Sequence, residues 1–311
     1  MLEILSLGFP FSYLTLAISF LVGIGVTLLT VGLFSLILLL FLSYTGVIRI
    51  LPFYSFIQKI IVFLFPEFIS KVKNSIQDTF ILEGIGSHDI EKKDQSIYMF
   101  HPHGAFSTSY FFHIQKNKSF GKGVISKYLW CIPFSWEIYE HLRFIPNTFS
   151  CMKEVLVEKK ENLSIIPGGS LEMLEIKEQK SKTLRIKLLN RKGIFRLALE
   201  TGVQLVPCLT FGETELYSLY EPPKFIREFL KQFEIILPLP SLASFKTWYN
   251  LLTKGSDTPI KTYIGEPLKV EKIEKPTQED IIKLRTNYIN HLQDLYKKVK
   301  PKEYSDSLEI V

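Results

Sequence analysis

A short segment with two histidines carries the strongest chemical signal in the sequence. Residues 98–107 read YMFHPHGAFS, so His101 and His103 flank a proline and Gly104 follows directly. A neutral imidazole near a hydroxyl group can act as a general base, taking the proton while the oxygen attacks a carbonyl carbon. We take His103 as the candidate base, His101 as its catalytic neighbour and Gly104 as part of the substrate site. Two histidines hydrogen-bonded in an ordinary turn are the non-catalytic alternative.

A second block follows at Pro167-Gly168-Gly169-Ser170-Leu171-Glu172. Glycines let the main chain approach a ligand closely, so Pro167, Gly168 and Gly169 are candidates for binding the substrate and its developing oxyanion. An ordinary tight turn explains the same glycines. Glu172 is the candidate acidic partner that orients the imidazole and stabilises the imidazolium.

A third block, Asn190-Arg191-Lys192-Gly193, precedes a predicted helix. Cations beside a helix N-terminus can bind phosphate groups, which makes Asn190, Arg191, Lys192 and Gly193 candidates for binding a nucleotide-like donor such as coenzyme A. A solvated basic turn is an equally good explanation of this block.

Other chemistries fit these blocks less well. A metal site would need further carboxylate or histidine ligands, and none follows His103 closely, so no metal is expected. The glycine block approaches the nucleophile elbow of serine hydrolases around Ser170, but that motif needs a small residue where Glu172 stands. The spacing of a phosphate-binding loop is absent.

The elements that must position these blocks are predicted to form an α/β layer, because short apolar runs alternate with helical stretches after about residue 85. Residues 96–100, SIYMF, read as a buried strand, and residues 162–169, NLSIIPGG, as a strand entering the glycine turn. Residues 192–211 predict a helix and a strand, which is half of a βαβ crossover. Catalytic groups in such proteins usually lie where buried strands end.

Helix boundaries are marked by three residues. Gly202 is a suitable stop for the helix before the strand VQLVPCLTF. Thr277 and Asp280 have the spacing of a capping box before an amphipathic terminal helix.

The N-terminal part has the composition of a membrane segment. Residues 4–48 contain no charged residue and no histidine. This uncharged run is about twice as long as the roughly 20 residues that one membrane-crossing helix needs. We predict a helical hairpin over residues 1–51, with its turn near Gly32; one tilted span followed by an apolar surface segment is the alternative. Cations after the run place both ends in the cytosol. Residues 52–85 are predicted to lie at the membrane interface, and 86–311 to form the cytosolic domain.

Charge and cysteine content limit the remaining classes. The net charge of +6 comes without the dense arginine runs of a nucleic-acid surface, so no nucleic-acid partner is predicted. Three cysteines, far apart, indicate neither a disulfide framework nor a cysteine zinc site.

Taken in order, the blocks resemble the type 2 diacylglycerol acyltransferases, with the related monoacylglycerol acyltransferases and wax synthases. The matching segments are His101-Pro102-His103-Gly104, Gly168-Gly169-Ser170-Leu171-Glu172, Asn190-Arg191-Lys192-Gly193, Phe211-Gly212-Glu213, Gly265-Glu266-Pro267 and Pro276-Thr277. One block alone would be weak, but the ordered set over residues 95–300 is specific.

The resemblance implies acyl transfer from acyl-coenzyme A, a co-substrate rather than a bound cofactor, to a lipid hydroxyl. It also implies a location in the endoplasmic reticulum membrane, and on lipid droplets, with the catalytic part in the cytosol. It places the base at His103 and the block glutamate at Glu172. In the wider glycerolipid acyltransferases an aspartate follows the histidine by five residues; here that position is Thr108, so Glu172 is the expected acidic partner. Pro167 before the two glycines resembles the Pro-x-Gly turn of those enzymes, so contact of this block with the acceptor is the alternative to orientation of His103.

The expected fold is an acyltransferase-like α/β domain, with a central mixed sheet flanked by helices, preceded by a transmembrane helical hairpin. The expected reaction converts diacylglycerol to triacylglycerol, with a monoacylglycerol or a fatty alcohol as alternative acceptors. A non-catalytic lipid-binding membrane protein is the alternative from another class. The oligomeric state is left open, with a homo-oligomer as one alternative.

Overall fold

The computed structural model describes most of the chain after residue 79. The described ranges are 79–84, 94–104, 106–131, 135–169, 172, 182–216 and 260–311, with 31–33, 35, 56, 59, 60, 63, 223 and 225. The chain divides into two compact units, one of Met1–Ile60 with Tyr128–Trp136 and one of Ile61–Lys127 with Glu137–Val311. The second unit carries the three blocks and is described first.

A seven-stranded sheet forms the centre of the second unit, with strand order β1-β8-β7-β2-β5-β3-β4, and a two-stranded sheet joins β6 to β9. The strands are β1 Phe80–Gly84, β2 Ser96–His101, β3 Lys122–Ile125, β4 Phe144–Pro146, β5 Leu163–Ile165, β6 Arg185–Ile186, β7 Gln204–Phe211, β8 Ile260–Ile264 and β9 Glu309–Ile310. The described helices are α1 Thr108–Lys116, α2 Ser135–His141, α3 Phe149–Val157, α4 Gly193–Thr201 and α5 Gln278–Val299. All neighbouring pairs in the large sheet are parallel except β7 with β8, so the predicted mixed sheet is confirmed.

Strand β2 lies in the middle of the sheet, between β5 and β7, and all six of its residues are buried. Side chains alternate between the two faces of a strand. Ile97 and Met99 join the core cluster that includes α4 and α5, whereas Tyr98 and Phe100 join the cluster that includes α1. Burial on both faces explains the unbroken apolar run SIYMF. The carboxyl end of β2 therefore delivers the histidine block to one edge of a helix-covered sheet.

The predicted helix boundaries are confirmed. Gly202 follows the last residue of helix α4 and caps it. It has a φ of 73°, and its amide donates to the carbonyl of Ala198. Thr277 is the N-cap residue of helix α5 and forms the predicted capping box with Asp280. These caps fix the ends of the two helices that cover the Ile97 and Met99 face.

The sheet begins a few residues before the predicted start of the cytosolic domain at residue 86. Strand β1, Phe80–Gly84, pairs in register with β8, so the sheet begins before residue 86. This strand is short and lies at the edge of the sheet, and its five residues gave only a weak strand pattern beside the longer apolar stretch before them.

The predicted hairpin over residues 1–51 lies almost entirely outside the described residues. In the first unit, Val31, Gly32 and Leu33 are helical and exposed, so the predicted turn does not lie at Gly32 itself. Where the structure is described, no helix combines the length and the apolar character needed to cross a membrane. The helical residues Phe56, Lys59 and Ile60 are also exposed.

The turn before β3 yields a test of the fold. Gly121 has a φ of 68°, and a β-carbon there would collide with the backbone carbonyl of Asn162. We expect Gly121→Ala to lower the free energy of unfolding by roughly 2–5 kcal/mol, from left-handed strain and overpacking together. Gly193→Ala is the control, because nothing lies within 4 Å of a β-carbon at the start of α4. Equal destabilisation of the purified protein by the two substitutions in denaturant titrations would contradict this packing.

Candidate active site

His103 lies two residues beyond the end of β2 and is half-buried. Its ring nitrogen Nδ1 lies 2.9 Å from the carbonyl oxygen of Gly104 and 3.2 Å from Oγ of Ser107. A carbonyl oxygen only accepts hydrogen bonds, so Nδ1 must carry the proton. The lone pair is then on Nε2, which has no hydrogen-bond partner among the described residues. This is the tautomer that a general base needs.

The protonation state of His103 fits the same role. Burial lowers the pKa of the imidazole, and the hydrogen bond to the Gly104 carbonyl opposes that shift. A lowered pKa keeps the ring neutral near pH 7, since the ordinary value is about 6.5. The half-buried ring can therefore accept a proton without first losing one.

His101 does not join the site, which corrects the prediction that both histidines are catalytic. Its side chain is 0% exposed, and Nε2 lies 2.9 Å from the hydroxyl of Tyr288 on α5. Burial lowers the pKa of His101 to about 3, so this ring is neutral. The alternation of β2 explains the placement, because His101 follows Ile97 and Met99 on the face covered by α5.

Glu172 lies at the site but binds the main chain, not the imidazole. Its Oε2 accepts from the amide of His103 at 2.7 Å and its Oε1 from the amide of Lys187 at 2.8 Å. Among the described contacts neither oxygen reaches the ring, so the structure shows Glu172 on the backbone of the histidine block and not in contact with the imidazole. Gly168 leaves the space for this carboxyl group, since a β-carbon on Gly168 would collide with it. Glu172 thus holds the backbone of the histidine block.

Burial makes the Glu172 carboxyl group sensitive to pH. The side chain is buried, and this desolvation raises its pKa to about 7, while the Lys187 and His103 amides and the charge of Arg191 oppose the shift. The group therefore titrates close to physiological pH.

The glycine turn is joined to the third block by Arg191. Its Nη2 donates to the carbonyl oxygen of Gly168 at 2.7 Å. Gly169 has a φ of 60°, and its amide donates to the carbonyl of Ile166 at 3.3 Å. Pro167, in the same turn, is buried. Arg191 thus braces the turn, which differs from the predicted role of binding phosphate.

The other residues of the third block, Asn190, Lys192 and Gly193, are exposed at the start of α4. For the residues described, no three His, Cys, Asp or Glu side chains lie close enough together to hold a metal ion.

The family is decided by a match that covers most of the chain. Residues 68–310 match the family model described as diacylglycerol acyltransferase. The chain belongs to the diacylglycerol acyltransferase family. The resemblance predicted from the ordered blocks is thereby confirmed, and the protein is an acyltransferase.

Three relatives from Homo sapiens illustrate the range of the family. The acyltransferase is 31% identical to Acyl-CoA wax alcohol acyltransferase 2, over 75% of each chain. It is 30% identical to 2-acylglycerol O-acyltransferase 1, over 73% of this chain and 71% of the relative. It is 28% identical to Diacylglycerol O-acyltransferase 2, over 73% of this chain and 62% of the relative. These identities are too similar to distinguish between acceptor alcohols.

Sequence reasoning gave no role to Glu213, although the acyltransferase family pattern includes it. The buried carboxylate accepts from the amide of Thr108 at 2.7 Å and from that of Ser109 at 3.0 Å, which caps α1. A β-carbon on Gly104 would collide with the Glu213 side chain. The position of Glu213 follows from strand pairing, which no local sequence pattern shows: β7 runs parallel to β2, so residues just after each strand meet at one edge of the sheet.

The raised pKa of Glu172 predicts a pH-dependent stability. The folded-state pKa of about 7 exceeds the ordinary 4.5, so the folded state binds the proton more tightly. The Glu172 contribution to the free energy of unfolding should therefore fall by up to roughly 3 kcal/mol as the pH rises from about 4.5 to 7. Denaturant titrations of the purified acyltransferase across this range measure the slope.

Glu172→Gln should remove that part of the slope. It should also destabilise the protein by about 1–3 kcal/mol at low pH, since the new amide group faces a backbone N–H. Glu158→Gln, at an exposed position, is the control and should keep the wild-type slope. Identical slopes for wild type and Glu172→Gln would rule out the assigned titration.

Proposed function

We propose that this acyltransferase moves a fatty acyl group from acyl-coenzyme A to the hydroxyl of a hydrophobic lipid, diacylglycerol, with His103 as general base. The observation that carries the proposal is the bond from Nδ1 of His103 to the Gly104 carbonyl, because it leaves Nε2 unprotonated. The family match supports acyl transfer, and its description supports diacylglycerol as the acceptor.

The proposed reaction needs only one proton carrier. Nε2 of His103 takes the proton of the acceptor hydroxyl while the oxygen attacks the thioester carbonyl carbon. The tetrahedral intermediate then collapses, the carbon–sulfur bond breaks, and the imidazolium returns its proton to the coenzyme A thiolate. The products are the ester and free coenzyme A, and the enzyme is unchanged.

The glycine turn offers one candidate donor for the oxyanion. The amide of Gly169 already donates to the carbonyl of Ile166, and Pro167 has no N–H. The amide of Gly168 has no acceptor among the described residues, so we assign the oxyanion contact to it. Arg191, bonded to the Gly168 carbonyl, would hold that amide in place.

Donor binding is assigned to the start of α4. Lys192 is exposed there, and no acidic residue lies in the first turn of the helix. A cation beside a helix N-terminus favours phosphate oxygens, which suits the phosphates of coenzyme A.

The membrane setting is proposed from the sequence. The uncharged run over residues 4–48 supports a membrane anchor, and the cations that follow it favour a cytosolic catalytic domain. The family resemblance implies that the membrane is the endoplasmic reticulum, with lipid droplets as a further location. Such an anchor would keep the catalytic domain beside acceptors that dissolve in the bilayer.

A second acceptor is favoured by one observation. Acyl-CoA wax alcohol acyltransferase 2 is 31% identical over three quarters of the chain, which supports a long-chain fatty alcohol and a wax ester product. The base and the turn would serve either alcohol, so the choice depends on the acceptor pocket.

The test uses membranes containing the full chain, labelled oleoyl-coenzyme A and separate acceptors: a diacylglycerol, a monoacylglycerol and a long-chain primary alcohol. We expect labelled triacylglycerol. His103→Ala should lower its rate of formation by about 10²–10⁴ while the protein still reaches the membrane, since the general base is lost. His141→Ala removes an exposed imidazole and is the matched control.

Three outcomes would contradict the proposal. Wild-type rates in His103→Ala would exclude His103 as the base and leave acyl transfer by another mechanism. A labelled wax ester in place of triacylglycerol would select the second acceptor. Release of labelled fatty acid without any acceptor, abolished by Ser170→Ala, would identify a lipid esterase.

A further inference from the structure

We propose that Ser107 is a positioning residue for the base, and that its hydroxyl and the Gly104 carbonyl together replace an acidic partner on Nδ1 of His103. This inference rests on the proposed role of His103. It concerns which atoms fix the tautomer of His103, and whether a negative charge stabilises the imidazolium that forms when the ring gains a proton.

The geometry gives the direction of each hydrogen bond. Oγ of Ser107 lies 2.8 Å from the carbonyl oxygen of His103, to which it must donate because a carbonyl only accepts. The same Oγ lies 3.2 Å from Nδ1 of His103. With its proton committed to the carbonyl, Oγ accepts from Nδ1–H. The Nδ1 proton is therefore shared between two neutral oxygens.

Ser107 makes these contacts and does not cap helix α1 with its side chain. It immediately precedes α1, where a serine hydroxyl normally accepts from a helix amide, yet it makes no such bond. Its backbone is left-handed, with φ 51° and ψ 42°, which is unfavourable for a residue with a β-carbon. Strain of this kind tends to persist where function requires it.

Glu213 makes this arrangement possible. Its carboxylate caps α1 through the amides of Thr108 and Ser109, although it lies more than 100 residues away in the chain. Because Glu213, just after β7, caps the helix, the Ser107 hydroxyl is available to the imidazole. Glu213 therefore caps the helix, and Ser107 contacts the imidazole.

Among the residues that the structure describes, no carboxylate contacts Nδ1. Glu172 binds the amides of His103 and Lys187, Glu213 binds the start of α1, and Arg191 binds the Gly168 carbonyl. Neutral oxygens on Nδ1 fix the tautomer but do not stabilise an imidazolium as a carboxylate would. The base should therefore be active to a lower pH than a carboxylate-paired histidine would be.

A pair of nearly isosteric substitutions separates charge from shape. Aspartate and asparagine both tolerate the left-handed backbone, and both can place an oxygen near Nδ1. Only Ser107→Asp adds a charge, which stabilises the imidazolium and raises the pKa of His103. The acid limb of the profile of kcat/KM against pH should then move up by about one pH unit. The limb of Ser107→Asn should stay at the wild-type position.

Ser107→Ala supplies an independent arm that does not need the aspartate variant to fold. It removes one of the two oxygens on Nδ1, so kcat should fall about tenfold with an unchanged KM for oleoyl-coenzyme A. An unchanged kcat in this variant overturns the proposal. An unmoved acid limb in a folded Ser107→Asp protein overturns it as well.

His103→Ala, assayed beside these variants, separates the two hypotheses. If His103→Ala retains activity, the proposed base is wrong. If His103→Ala is inactive while the aspartate and asparagine variants share one acid limb, the base stands and the role of Ser107 is refuted.

Discussion

The hydrogen bond from Nδ1 of His103 to the carbonyl oxygen of Gly104 is the constraint on which the rest of the site depends. It is made between neighbouring residues, so it exists only if the main chain turns sharply after the histidine. Gly104 makes this turn at a φ of 63°, a conformation that suits glycine. The turn must also be held in place, and the surrounding structure holds it from two sides.

Two buried glutamates hold the turn, and both do so through backbone amides. Glu172 binds the amide of His103, and Glu213 packs against Gly104 while capping α1. Buried carboxylates are costly unless hydrogen bonds satisfy them, and the amides at these two positions supply those bonds. The histidine, glycine and Phe-Gly-Glu blocks are therefore one unit. Arg191 adds the third block through the Gly168 carbonyl.

The sequence predicted what depends on local pattern and missed what depends on register. Strand β2 and the stop at Gly202 follow from apolar periodicity and turn chemistry, and both were found. The side chain of His101 could also have been placed, because strict alternation puts it on the face of Ile97 and Met99. The partners of Glu172 and Glu213 could not, since they depend on which strands lie side by side. The sequence pattern placed Glu172 in the site and gave Glu213 no role, and it did not show that both carboxylates bind backbone amides.

The central claim is that His103 is neutral, with its proton on Nδ1 and its lone pair on Nε2. Nitrogen NMR of the purified full-length protein, with labelled histidine, measures this directly. The signals of His103 are identified among those of the six histidines by comparison with His103→Gln. Near pH 7 we expect a protonated Nδ1 and an unprotonated Nε2 for this residue. A proton on Nε2, or an imidazolium at that pH, would contradict the account.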